Sequence, residues 1–182
     1  ELSDLRRAGE WTQATARWCE SLPAAGPFLG VCRVHRAQVF QAHGAWDRAE
    51  HEATRACTDL ADFDLGTVAE GHYQIGEVRR VRGDLAGAEL AFRQAHALGR
   101  DPQPGLALLR LAQGRVDVAV ASIQAALTAL ERNRLARARL CAALVEIALE
   151  AGDIEAARLA SDELDETATI YRSSGLEAAA PQ

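Results

Sequence analysis

Three features of the 182-residue sequence predict an all-α fold built as an array of antiparallel helix pairs. A glycine followed five positions later by alanine recurs at Gly9/Ala14, Gly44/Ala49, Gly83/Ala88, Gly114/Ala119 and Gly152/Ala157, with the glycines 35, 39, 31 and 38 residues apart. Two positions after each glycine stands an apolar residue: Trp11, Trp46, Leu85, Val116 and Ile154. Beyond the alanine the pattern keeps helical spacing, with Trp18, Phe92 and Ile123 four residues on and Ala56, Ala95 and Ala126 seven on. A period of this length marks a supersecondary unit that cannot bury its own apolar face and must stack on its neighbours.

The elements follow in order. Residues 1–8 read as the tail of a truncated helix that turns at Gly9 into a partner over 11–21, and Pro23, Gly26 and Pro27 mark the first loop. Paired helices are then expected over 28–43 and 46–60, 67–82 and 85–99, 103–113 and 116–131, and 135–151 and 154–172. Each turn glycine stops a helix because left-handed backbone is cheap only for glycine. Asp84 and Asp153 directly follow two of these glycines and are placed to cap the next helix. The alanine stands where two helices meet so closely that a larger side chain would force them apart. Asp101, Pro102 and Pro104 set up the start of the short helix in the 31-residue unit. The tail 173–182 is expected to fray. The whole of 1–182 therefore reads as one array, with a truncated repeat at 1–21 and repeats at about 28–60, 67–99, 103–131 and 135–172.

In this register the sequence resembles the tetratricopeptide repeat, whose unit is about 34 residues long. The family's small residue seven before the turn glycine is matched by Ala37, Gly76 and Ala107 and replaced by Val145 in the last repeat. The tryptophan and tyrosine of the family's first helix are missing. The resemblance implies a right-handed superhelix, an α-solenoid in which the first helix of each pair lines a concave groove.

That register puts Val34, Gln38 and Gln41 on the groove, followed by Glu70, Tyr73, Glu77 and Arg80 on the next lining helix and Arg139 and Glu146 on the last. Tyr73 is the leading contact candidate, as a rigid surface with a hydroxyl handle; the alternative is that it packs against a neighbouring repeat. Arg33 and Arg36 occupy positions that the family fills with apolar residues, and Arg79 and Arg110 stand where it prefers an aromatic. These guanidinium groups either pair with carboxylates such as Glu20, Glu70 or Glu77 while their stems fill space, or serve as anion-recognition forks. The cluster Arg79, Arg80 and Arg82 reads as a solvated helix end that favours its own C-terminal dipole.

Composition bounds the function. The net charge of −6 gives no basic field to attract a phosphate backbone, so direct nucleic acid binding by this fragment is not expected. No apolar run approaches ~18 residues, which leaves no candidate membrane span, and the opening residues lack a secretory leader. Cys19, Cys32, Cys57 and Cys141 are too scattered for a disulfide framework or structural zinc, and His35 and His43 stand eight apart rather than four. Four reduced core cysteines suit a cytoplasmic protein. No nucleophile–base set, phosphate loop or metal motif occurs, so neither an enzyme nor a cofactor is expected.

The chain contains no methionine, which points to a piece of a longer protein, and all 20 basic residues are arginine, as in a GC-rich bacterial genome. The phrases C-R-V-H-R-A-Q-V-F-Q-A-H-G-A-W-D-R-A-E at 32–50 and Q-P-G-L-A-L-L-R-L-A-Q-G-R-V-D-V-A at 103–119 resemble the helical middle of actinobacterial LuxR-type transcription regulators. The resemblance implies a protein-interaction and regulatory module, with the DNA-reading helix-turn-helix outside this fragment. The expected partner is another protein or a second copy, as a homodimer through exposed terminal helices carrying Leu2, Leu5, Leu159 and Leu164. The alternative is an effector-sensing groove for a small anionic or peptide ligand.

Overall fold

The computed structural model describes residues 5–20, 27–130 and 133–171. Among them are nine α-helices and no strand: α1 Leu5–Glu20, α2 Pro27–Ala42, α3 Trp46–Leu60, α4 Leu65–Val81, α5 Leu85–Ala97, α6 Gly105–Ala112, α7 Val116–Ala129, α8 Arg134–Ala151 and α9 Ile154–Tyr171. Two compact units divide the chain, one spanning Leu5–Gly105 and the other running from Leu106 onward. In the N-terminal unit α2 packs on α3, α3 on α4 and α4 on α5, with α1 against α2; in the C-terminal unit α7 packs on α8 and α8 on α9. The expected turns at 21–26 and the tail 173–182 lie outside the described residues.

Four of the five sequence glycines close hairpins, and they do so identically. Gly44, Gly83, Gly114 and Gly152 have φ of 72°, 86°, 73° and 74°. At each, the glycine N–H donates to the carbonyl three residues back, as in Gly44 to Gln41 at 2.9 Å and Gly114 to Leu111 at 2.8 Å. The next N–H reaches five residues back: Ala45 to Phe40, Asp84 to Arg79, Arg115 to Arg110 and Asp153 to Ala148, all at 2.9–3.0 Å. This pair of bonds is the Schellman motif, which satisfies carbonyls that the ending helix leaves open. Gly99, with φ of 89°, repeats the closure after α5, where the sequence pattern gave no warning.

The spacing from glycine to alanine now has a mechanical meaning. The residue after the glycine is the N-cap of the next helix, and the N–H of the alanine four further on makes that helix's first bond to it: Ala49 to Ala45, Ala88 to Asp84, Ala119 to Arg115 and Ala157 to Asp153. Asp84 and Asp153 cap as expected, accepting from Gly87 N at 2.9 Å and Ala156 N at 3.0 Å. Asp64 and Asn133 do the same for α4 and α8. Ala49, Ala88, Ala119 and Ala157 are all buried, as are Ala37, Ala107 and Val145 seven before the glycines. At Gly76 a Cβ would lie 2.6 Å from the Phe92 ring, so the small residue there is a steric requirement.

The fifth register fails. Gly9 lies inside the continuous helix α1 rather than between two helices, Ala14 is exposed, and Trp11 is 73% exposed. Trp18, expected on the packed face, is exposed as well. An interior glycine weakens a helix by about 1 kcal/mol but does not end it. Ending it takes left-handed backbone and a partner helix to fold back on, and Gly9 has no positive φ.

Both cores mix alanine with larger side chains. In the N-terminal unit Ala37, Ala53, Ile75 and Ala91 meet with Cys57 against them, and Leu60, Val68, Tyr73, Val78 and Phe92 are buried as well. The C-terminal unit buries Ala107, Leu108, Ala119, Ile123, Leu127, Leu140, Val145 and Ile147 together, and a second cluster of Ala138, Leu164 and Ala168. Leu164 is therefore a core residue and not part of an uncovered stripe; burial against α8 claims it. Leu159 remains 58% exposed. Leu2 and the side chain of Leu5 lie outside the described residues.

Candidate functional site

Small helix-contact residues let α2 and α3 approach closely, and the polar side chains of α2 are caught between them. Arg33, only 8% exposed, donates from Nη1 to Glu52 Oε2 at 3.1 Å, and Arg36 donates from Nη2 to Glu52 Oε1 at 2.6 Å. The Nε of Arg33 also lies 3.1 Å from Asp59 Oδ2, without the alignment of a hydrogen bond, so that contact is Coulombic. One buried carboxylate thus serves two guanidinium groups, and a second carboxylate completes the balance. Pairing is the outcome for Arg33 and Arg36, though with Glu52 and Asp59 rather than with Glu70 or Glu77; the side chain of Glu20 lies outside the described residues.

On α4 the groove candidates are likewise engaged. Glu70 lies 2.6 Å from Arg100 Nε, and the same guanidinium stacks 4.1 Å above the Tyr73 ring. Tyr73 is 3% exposed with its ring 5.6 Å from that of Phe92, so its packing role holds and an exposed contact role does not. Burial wins because Gly76 and Gly105 leave room for the aromatic pair beside the helix backbone. Glu77 and Arg80 pair with each other along α4 at 3.2 Å. Gln74 of α4 donates to Gln41 of α2, which ties two candidate helices together. Gln38 lies 3.4 Å from His35 Nδ1, and His43 Nδ1 is 2.7 Å from the carbonyl of Val39. Val34, expected on the groove, is buried.

Two further arginines of this unit follow the same habit. Arg79 meets Glu50 at 2.7 Å, and Arg82 bridges Asp47 at 2.8 Å and Glu50 at 3.3 Å. Arg110, in the other unit, donates to Gln113 at 2.8 Å. Also in the C-terminal unit, Arg139 and Glu146 are exposed, and Arg137 grips Glu163 through two bonds of 2.5 and 2.7 Å. That grip holds the Glu163 carboxyl below its ordinary range. Burial pushes the Cys141 thiol up to about 12 and the Cys57 thiol up to about 11, so neither is a ready nucleophile. Burial also lowers the basicity of His72.

One cavity in the N-terminal unit gathers cations. It has a volume of about 250 Å³ and lies between α1, α2 and α3, lined by Thr12, Arg17, Arg36, Val39, Phe40 and Arg48 among others. Arg48 stacks 4.0 Å above the Phe40 ring. Among the described residues its lining contains no carboxylate. Of its three arginines only Arg36 was a candidate from sequence. A signal for Arg48 was nevertheless present: antiparallel helices joined at Gly44 place residues equidistant from the glycine opposite each other, so Phe40 and Arg48, each four away, face one another, as do Arg36 and Glu52, each eight away. Arg17 had no such signal, because no turn glycine of the repeat pattern relates it to α2 or α3.

Among the described residues, no group of three or more His, Cys, Asp and Glu side chains is placed to hold a metal ion, and no helix is long and apolar enough to cross a membrane. No family model matches the chain, and no curated protein matches it either.

Proposed function

We propose that this chain is a non-catalytic, tetratricopeptide-like interaction and regulatory module of a bacterial LuxR-type transcription regulator that works in the cytoplasm, with DNA contact made by a domain outside this fragment. The observation that supports this reading is the repeated hairpin closure, identical at four glycines, because stacked hairpins of that kind present extended surfaces rather than an enclosed reaction site. The partner is a protein or a second copy of the chain. Exposed apolar side chains, Trp11 on α1 and separately Leu159 and Ile170 on α9, are what each terminal helix offers for self-association.

Light scattering over a hundredfold range of concentration tests the self-association arm: the expected mass is that of a dimer that dissociates on dilution. A constant monomer mass removes that arm. The regulator assignment is tested by reading the gene beyond Gln182, where a helix-turn-helix is expected; a reading frame without one sinks it.

A second reading, effector sensing by a small anion, is favoured by one specific observation, the arginine-lined cavity between α1, α2 and α3.

A further inference from the structure

We infer that the cavity between α1, α2 and α3 is a binding site for a small organic carboxylate, with Arg17, Arg36 and Arg48 as its anion-recognising groups and Phe40 and Val39 as its apolar wall. The inference rests on the effector reading of this unit and supplies its ligand class.

Charge bookkeeping is the first support. The chain carries 26 acidic residues against 20 arginines, so carboxylates are plentiful partners for its guanidinium groups. In the N-terminal unit Arg33, Arg36, Arg79, Arg80, Arg82 and Arg100 each lie within ion-pair distance of a carboxylate. Among the described residues Arg17 and Arg48 pair with none, as do Arg55 and Arg93 on exposed surface, but Arg17 and Arg48 line one cavity together with Arg36. Arg36 spends a single Nη2 donor on Glu52, leaving the rest of its fork uncommitted. Three helices thus bring guanidinium groups to a shared space whose lining, among the described residues, holds no carboxylate. Partial enclosure weakens screening by salt and strengthens any anion held there.

The shape selects the anion. A volume of about 250 Å³ equals roughly eight waters, too roomy for a carboxylate alone. The Phe40 ring and Val39 give the remaining space an apolar side, and the guanidinium carbon of Arg48 already sits 4.0 Å over that ring, a cation–π contact that helps hold the group beside the cavity. Planar forks match a planar carboxylate through two parallel bonds. A carboxyl group on a compact apolar body therefore uses both halves of the cavity, whereas inorganic phosphate uses only one.

The test is titration of the whole chain with benzoate, phenylacetate and hexanoate, followed by tryptophan fluorescence and calorimetry; Trp11 and Trp18 report from α1, the helix that carries Arg17. Benzamide is the neutral comparison and sodium phosphate the inorganic one. Saturable binding of at least one carboxylate is expected, weakened about tenfold by Arg17→Gln and by Arg48→Gln and unaffected by Arg93→Gln on exposed α5 surface. Circular dichroism of each variant verifies the fold. Benzamide binding as tightly as benzoate overturns the inference, as does phosphate binding with no carboxylate binding, equal affinity in all three variants, or no uptake of any carboxylate at about 10 mM, the far weak end of specific affinity. If a carboxylate binds through these arginines while hydrogen exchange across α1–α3 stays unchanged, the site stands and the effector reading fails.

Discussion

The two units close their hairpins in the same way and place their charges differently. In the N-terminal unit α2, α3 and α4 hold arginine–carboxylate pairs between the helices, and Arg33 and Glu52 are both buried there. Among the described residues of the C-terminal unit no charged side chain is buried, and Arg137 with Glu163 and Arg134 with Glu166 pair where solvent still reaches them. Backbone closure is thus indifferent to what lies between the helices.

The largest effect that would break this contrast is at Glu52. Glu52→Leu leaves Arg33 and Arg36 without their shared carboxylate in a nearly closed space and should cost about 3–5 kcal/mol of stability in urea titration. Replacing the trio together by apolar residues of similar volume, Arg33→Met, Arg36→Leu and Glu52→Leu, should restore most of it. A loss below 1 kcal/mol for Glu52→Leu alone would show that the pairs do not organise the N-terminal unit. In the other unit the weak point is apolar: Ile147→Ala, at a fully buried position, should cost about 3 kcal/mol by the cavity it opens. Hydrogen exchange should confine that loss to residues after Leu106, and a spread into α2–α4 would erase the distinction.

Smaller and opposite effects are expected at two glycines that look alike in sequence. Gly114→Ala meets no neighbour within 4 Å, yet its φ of +73° makes alanine unfavourable by about 1 kcal/mol. Gly9→Ala should instead stabilise by about 0.5 kcal/mol, because its Cβ would meet Val39 at an ordinary 3.7 Å inside a helix. Shifts of the same sign in thermal melts would mean that Gly9 is a turn after all.

The smallest differences appear with pH. The folded Glu163 carboxyl titrates below its ordinary value of 4.5, so its contribution is present above that value and declines as pH falls through the depressed one. Arg137→Gln should flatten that part of the acid limb. For Cys141 the thiol is raised from 9.0 to about 12, so stability falls as pH climbs between those values, when the unfolded thiol ionises and the folded one does not. Cys141→Ala should remove this slope from a denaturation series at alkaline pH, and an unchanged slope would refute it.

Most of the architecture was legible because the turn chemistry is local. A glycine at positive φ, an N-cap and a first helical bond all fall within six consecutive residues, and four registers announced themselves that way. Gly9 shared the spelling without the second helix that gives it meaning. The candidate residues were harder to read because a groove register fixes which helix face a side chain occupies but not which partner reaches it. Tyr73 was read first as a groove contact and only alternatively as packed; it is buried, and its cover by Arg100 comes from a residue 27 positions away, past the Gly99 turn. Arg33 and Arg36 stood out at apolar positions, and the mirror relation about Gly44 would have supplied Glu52. Arg17 lies beyond any such symmetry.

The closure at Gly99 carries a further consequence. It seals the end of a hairpin's second helix with the same two backbone bonds that seal the first helices, and neither bond asks anything of the neighbouring side chains. Sequence drift between the turns is therefore free to rewrite surfaces and charge without disturbing how the chain reverses direction. A scaffold with that separation acquires new specificities by exchanging helix faces while its corners stay fixed.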